Sequence, residues 1–119
     1  MNQDEFMYEK KLTSVVPSAR QLALEQMEFY GFIHFTVNTF TDREWGDGTE
    51  SESVFNPTNL DADEWAQVAK EAGMKGLILT CKHHDGFCMW DSKYTDYKIT
   101  NTPYKKDILK PLVNAFRNE

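Results

Sequence analysis

The sequence predicts an α/β fold: about two parallel strands with flanking helices, organised as the N-terminal portion of a (β/α)-barrel and incomplete as a barrel. Three observations carry this expectation. Two short, nearly uncharged apolar stretches, residues 29–35 and 74–81, read as strands. A strongly patterned helical segment separates them, and strand–helix–strand alternation gives a right-handed crossover and a parallel pair. Each strand runs into a long polar loop, residues 36–60 and 82–106, with aromatics in both. Long loops in a compact domain are usually functional, and barrel enzymes place their chemistry at the carboxyl ends of their strands. A closed barrel needs eight strands and ~250 residues, whereas this chain has 119. Two strands alone leave open edges.

The elements follow in order. Residues 1–17 read as a polar lead-in ending at Pro17, and residues 18–119 as the first βα units of the barrel. Ser18 caps a helix through about Glu28, with Leu22, Leu24, Met27 and Phe29 apolar. The run Phe29-Tyr30-Gly31-Phe32-Ile33-His34-Phe35 is expected as a buried strand. Asp61 with Glu64 three residues on resembles a capping box, and Trp65, Val68, Ala69 and Ala72 then share one helical face before Gly73 ends the helix. The unalternating run from Met74 to Cys81 suits a parallel strand buried on both faces. A last helix begins near Asp107 or Lys110. Pro111 fits its first position, and Leu112, Val113 and Phe116 form its apolar stripe.

Composition excludes several classes of function. Thirteen basic and nineteen acidic residues give a net charge of −6, and no basic run exceeds a pair, which argues against a nucleic-acid face. No apolar stretch approaches the ~18–20 residues of a membrane span. Residues 1–6 are polar and acidic, without the basic and apolar regions of a secretory signal, so a cytoplasmic protein is expected. Cys81 and Cys88 do not make a disulfide framework.

The histidines share one kind of position. His34 lies near the end of the first strand, and His83 and His84 directly follow the second. In a parallel pair these ends are neighbours, so three imidazoles can converge on one pocket. The run Cys81-Lys82-His83-His84-Asp85-Gly86-Phe87-Cys88 lacks the spacing of a zinc finger or ribbon, and no metal is expected. Trp45, beside Arg43 and Glu44, and Phe87, Trp90, Tyr94 and Tyr97 bring aromatic rings to the loops. Sugar rings stack an apolar C–H face on aromatic planes and need His, Glu or Asp partners for their hydroxyls, so the combination suits carbohydrate. Phe87, Tyr94 and Tyr97 are expected to pack the loops instead. Glu44 and Asp85 are the best-placed acids, although Asp85 before Gly86 equally suits a turn.

Several stretches resemble the α-L-fucosidases of glycoside hydrolase family 29: Gly31-Phe32-Ile33-His34-Phe35, Thr41-Asp42-Arg43-Glu44-Trp45-Gly46, Phe55-Asn56-Pro57, Asp63-Glu64-Trp65 and Ala69-Lys70-Glu71-Ala72-Gly73-Met74-Lys75. The most specific is Leu79-Thr80-Cys81-Lys82-His83-His84-Asp85-Gly86-Phe87-Cys88-Met89-Trp90, continuing to Tyr97. The resemblance covers roughly residues 17–110. Residues 38–46 are similar to the branch acting on α-1,3/1,4-linked fucose. The resemblance implies a (β/α)-barrel-like catalytic domain followed by a β-sandwich. It implies hydrolysis of terminal α-L-fucosides with retention, through an Asp nucleophile and a separate acid/base, without metal or organic cofactor. It further implies that His34, His83 and His84 hydrogen-bond fucose hydroxyls, with Trp45 lining the pocket and Glu44 near the sugar. No stretch of this chain matches the family's nucleophile or acid/base motifs, so part of the sugar subsite and no catalytic pair is expected here. The alternatives are a carbohydrate-binding module that self-associates through its open strand edges and, third, a small hydrolase with a His-bound metal.

Overall fold

The computed structural model describes residues 2–119, in the order α1 (Gln3–Thr13), α2 (Ala19–Met27), β1 (Tyr30–Ile33), α3 (Ala62–Glu71), β2 (Gly76–Leu79) and α4 (Leu109–Asn118). Short 3₁₀ turns at Val37–Phe40, Glu52–Val54 and Ile99–Asn101 punctuate the two long loops. The strands pair in parallel, from Tyr30 opposite Gly76 to Ile33 opposite Leu79.

The polar lead-in expected over residues 1–17 is helical instead. The Asn2 carboxamide oxygen accepts from the Glu5 amide at 2.8 Å, and the Glu5 carboxylate accepts from the Asn2 amide at 2.9 Å. This reciprocal capping box starts α1, whose apolar residues Phe6, Met7, Tyr8 and Leu12 all stay exposed. Ser18 and Gln21 repeat the device at the start of α2, which ends at Met27 with Glu28 as its C-cap, close to the expected end. Neither helix has a buried residue.

The Asp61 carboxylate accepts from the amides of Asp63 and Glu64, both at 3.0 Å, and begins α3 where the sequence places it. Gly73, just past the end, has φ +81°. Ala66 is the residue of α3 that is buried; Val68, on the face expected to be inside, is 59% exposed. α4 begins at Leu109, between the two expected starts, but Pro111 is its third residue rather than its first. The first turn has no intrahelical acceptors for its amides, so a proline there removes no bond. The N-cap position, Ile108, has no side chain to cap with, and Asp107, one residue earlier, supplies the cap: its carboxylate accepts from Leu109 at 2.9 Å and Lys110 at 3.4 Å.

The buried-strand expectation fails. Phe32 is 61% exposed and Ile78 37%. Each strand has one partner, and an open apolar groove of Phe32, Phe35, Trp65, Val68 and Leu77 separates β1 from α3. The core sits instead among the loops at the carboxyl ends of the strands. Val37, Phe55, Phe87, Met89, Ile99, Ile108 and Leu112 are buried together. Phe55 is its hub, with ring centroids 5.4 Å from Phe87, 5.7 Å from Phe35 and 5.9 Å from Tyr104. A radius of gyration of 19.9 Å, against about 13.5 Å for a compact chain of this length, reflects the elements left outside that core.

Candidate carbohydrate-binding cleft

Parallel register decides where the histidines go. Ile33 and Leu79 are partners at the ends of their strands, and the Thr80 amide extends the pairing by donating to the Ile33 carbonyl at 3.0 Å. The next side chains meet: Thr80 Oγ1 is 2.8 Å from His34 Nδ1. That contact engages one ring nitrogen and leaves Nε2 for a ligand. Phe32 stacks on the His34 ring, nearly parallel at 5.6 Å.

The chain then turns tightly after Thr80. The Gly86 amide donates to the His83 carbonyl at 3.0 Å, and the Asp85 carboxylate accepts from the Phe87 amide at 2.7 Å. This turn presents His83 edge-on to His34 at 5.4 Å and places His84 4.8 Å from His83. Trp45, from the first loop, meets the far side of His84 at 5.7 Å. The rings thus form a chain, His34–His83–His84–Trp45, reaching from the strand ends to the first loop. His83 Nδ1 is buried without a partner among the described residues.

A cleft of about 530 Å3 opens against this row. His34, His83, Glu44 and Trp45 line it, as do Thr36, Asn38, Thr39, Asp42 and Arg43. His84 supports its edge through Trp45 and His83 rather than lining it. Four of the five residues expected at a sugar site therefore face one cavity, and the fifth braces it.

Of the two best-placed acids, only Glu44 faces the cleft. Asp85 is 6% exposed and serves the turn, the other role its sequence context suits. Phe87 is fully buried and Tyr97 packs edge-on to it at 5.2 Å, both as expected. Tyr94 is not a packing residue: its amide donates to Ser92 Oγ in a local turn and its ring is 98% exposed. Trp90 borders a separate groove with Asp91 and Lys106, away from the histidines. Cys81 and Cys88 are free thiols. Among the described residues, no three His, Cys, Asp or Glu side chains group as a metal-binding set.

Two residues that shape the cleft were not legible as such. Asn38 is buried, and its side-chain amide donates to the Glu44 carbonyl at 3.4 Å. Glu50 has a side chain only 5% exposed and accepts from the amides of Asp47 at 3.1 Å and Gly48 at 2.9 Å. Its own backbone amide, then those of Asp47 and Gly48, hold its carboxyl below the usual range against the opposing effect of burial. Tyr97 Oη donates to Glu50 at 3.5 Å. Burial first, then the charges of Asp85 and Glu50, push the Tyr97 phenol well above its ordinary pKa. In sequence, Glu50 reads as one more acid on a polar loop. The only available signal is its place two residues after the Asp47-Gly48 turn.

A cleft lined by imidazoles, an indole and a carboxylate at the ends of parallel strands makes a candidate site for a small polyhydroxylated ligand. Comparison with known proteins identifies the family. The alpha-L-fucosidase family model matches residues 4–119, and the chain belongs to that family. A solved glycoside hydrolase 29 family member from an unknown rumen bacterium is 50% identical with a TM-score of 0.81, over 87% of this chain and 19% of that one. A bacterial fucosidase solved with a monovalent iminocyclitol inhibitor is 34% identical with a TM-score of 0.75, over 87% of this chain and 28% of that one. Alpha-L-fucosidase 1 of Arabidopsis thaliana is 46% identical over 84% of this chain and 20% of its own length. The chain thus spans about a fifth of the length of the plant relatives it matches.

Proposed function

We propose that this chain supplies the fucose-recognising wall of a retaining α-L-fucosidase that releases terminal α-L-fucose from oligosaccharides, its two strands belonging to a (β/α)-barrel. The observation that carries the reading is the meeting of His34 and His83 with Glu44 and Trp45 around one cleft at the strand ends. Imidazole nitrogens both donate and accept, so the two rings suit vicinal hydroxyls. The Glu44 carboxylate accepts from a third hydroxyl, and the indole of Trp45 covers the apolar face of the ring. The uncovered faces of β1 and β2 support the barrel assignment, since parallel sheets are ordinarily covered on both sides.

Retaining hydrolysis needs two carboxyl groups about 5–5.5 Å apart across the scissile bond. Here Asp42 and Glu44 lie along one loop of the cleft, and Asp85 is committed to a turn. The wall binds and orients; it lacks an opposed pair. Calorimetric titration of the 119-residue chain with L-fucose tests the reading. Saturable binding is expected, reduced at least tenfold by His34→Ala or His83→Ala, the order of one or two lost hydrogen bonds. Absence of binding by the folded chain would overturn it. No turnover of an aryl α-L-fucoside by the pure chain is expected, and measurable turnover would sink the division between binding wall and catalytic pair.

A further inference from the structure

We propose that Glu50 is a positioning residue for the sugar cleft: its buried carboxylate holds the segment carrying Glu44 and Trp45 in place, without itself lining the cavity. The inference rests on the binding role given above to Glu44 and Trp45.

Trp45 is 67% exposed, and its ring meets that of His84 at 5.7 Å. An indole so placed keeps one orientation only if its backbone is fixed on both sides. The structure fixes it. On the upstream side, the Asn38 carbonyl accepts from Thr41 at 3.2 Å and Arg43 at 3.3 Å, while the Asn38 side chain reaches the Glu44 carbonyl. On the downstream side, Glu50 Oε1 and Oε2 take the consecutive amides of Asp47 and Gly48. Between them lies Gly46, where a Cβ would stand 2.5 Å from both Asn38 Oδ1 and Glu50 Oε1. The backbone beside Trp45 is therefore gripped between two side chains, and only glycine permits so close an approach. A Cβ at Gly48, whose φ is +85°, would stand 2.9 Å from the Asp85 carbonyl oxygen, so the same loop passes close to the histidine turn.

Glu50 suits this task because its two oxygens satisfy two adjacent amides at once, from a side chain that is itself only 5% exposed. Arg43 Nη1, 4.0 Å away, and Tyr97 Oη complete its surroundings. A glutamine retains one carbonyl acceptor for one of the two amides; an alanine retains none. The two substitutions therefore grade the loss.

The test uses the full chain labelled with 5-fluorotryptophan, in which Trp45→Phe assigns the Trp45 fluorine signal apart from those of Trp65 and Trp90. Glu50→Ala is expected to move the Trp45 signal toward that of a free indole and leave the other two in place. It should also weaken L-fucose binding roughly three- to tenfold, the worth of an aromatic contact. Glu50→Gln should fall between wild type and Glu50→Ala in both readouts. An unmoved Trp45 signal in Glu50→Ala overturns the proposal, whatever happens to affinity. If Glu50→Ala shifts all three signals by unfolding, Glu50→Gln decides: an intermediate Trp45 shift with Trp65 and Trp90 unmoved supports the clamp, and a wild-type signal overturns it. Should the wild-type chain fail to bind L-fucose, the functional reading falls, and the Trp45 signal still judges the role of Glu50.

Discussion

The two halves of this molecule invert the usual relation between regular structure and packing. The loops at the carboxyl ends of the strands, with α4 behind them, bury Val37, Phe55, Phe87, Met89, Ile99, Ile108 and Leu112 almost completely. The sheet and the two N-terminal helices, regular as they are, leave Leu22, Leu24 and Phe32 between 44% and 61% exposed. Stability and site geometry therefore both live in the irregular half. The cleft stands on it through His83, Glu44 and Trp45, and only His34 comes directly off a strand end.

Substitutions of similar chemistry in the two halves should separate most widely. Phe55→Ala removes the ring at the centre of the aromatic cluster, and a loss of about 3–5 kcal/mol is expected. Leu24→Ala acts on an exposed face of α2 and should stay within about 0.5 kcal/mol. Urea denaturation followed by near-ultraviolet circular dichroism measures both. Comparable losses would break the comparison by showing that the N-terminal helices pack as tightly as the loops.

The helix caps sharpen the same contrast at smaller scale. Asp107 caps α4, which buries Leu112 and Ala115; Ser18 caps α2, which buries nothing. Each cap is worth about 1 kcal/mol to its own helix. Asp107→Ala should lower global stability by that amount, because α4 cannot fray without opening the core. Ser18→Ala should speed amide hydrogen exchange within α2 and leave the global urea midpoint nearly unchanged. A full shift of the midpoint by Ser18→Ala would show the two regions to be energetically coupled.

Sequence made one half far more legible than the other. Asp61 and Ser18 announce their helices because a cap is a local hydrogen-bond pattern, needing no tertiary information. Parallel pairing and the meeting of His34 with His83 follow from strand alternation alone. The start of α1 carried the same kind of signal in Asn2 and Glu5, but without an apolar stripe behind it the segment reads as polar lead-in. Burial of β1 and β2 could not be read, since an apolar run gives the demand for cover and not its supply. Pro111 misplaced the start of α4 by two residues, because all of the first turn tolerates proline. The loop core was the least legible part. Phe55, Phe87 and Ile99 share no period, and the roles of Asn38 and Glu50 depend on which backbone amides fold back upon them.

The finest test of the contrast sets two tyrosines of one loop against each other. Tyr97 packs on Phe87 with its hydroxyl toward Glu50, whereas Tyr94 lies in solvent. The groups acting on Tyr97 are Asp85 from the histidine turn and Glu50 and Glu52 from the first loop. All three are acidic side chains whose coulombic field raises the pKa of the phenol. Burial and that field raise the folded-state pKa of Tyr97 above the value of 10.0 it has when unfolded. A raised folded pKa means the neutral ring favours folding fully below pH 10, and this contribution is lost as pH climbs from 10 through the folded value. Tyr97→Phe cannot ionise. It should match wild type closely at pH 7, where it gives up one long hydrogen bond, and lose less stability than wild type above pH 10. Tyr94→Phe should follow the wild-type curve throughout. Urea midpoints of the three proteins at pH 7 and across the alkaline range decide the matter. Parallel curves for wild type and Tyr97→Phe would place the Tyr97 hydroxyl in water, and with it the edge of the packed half.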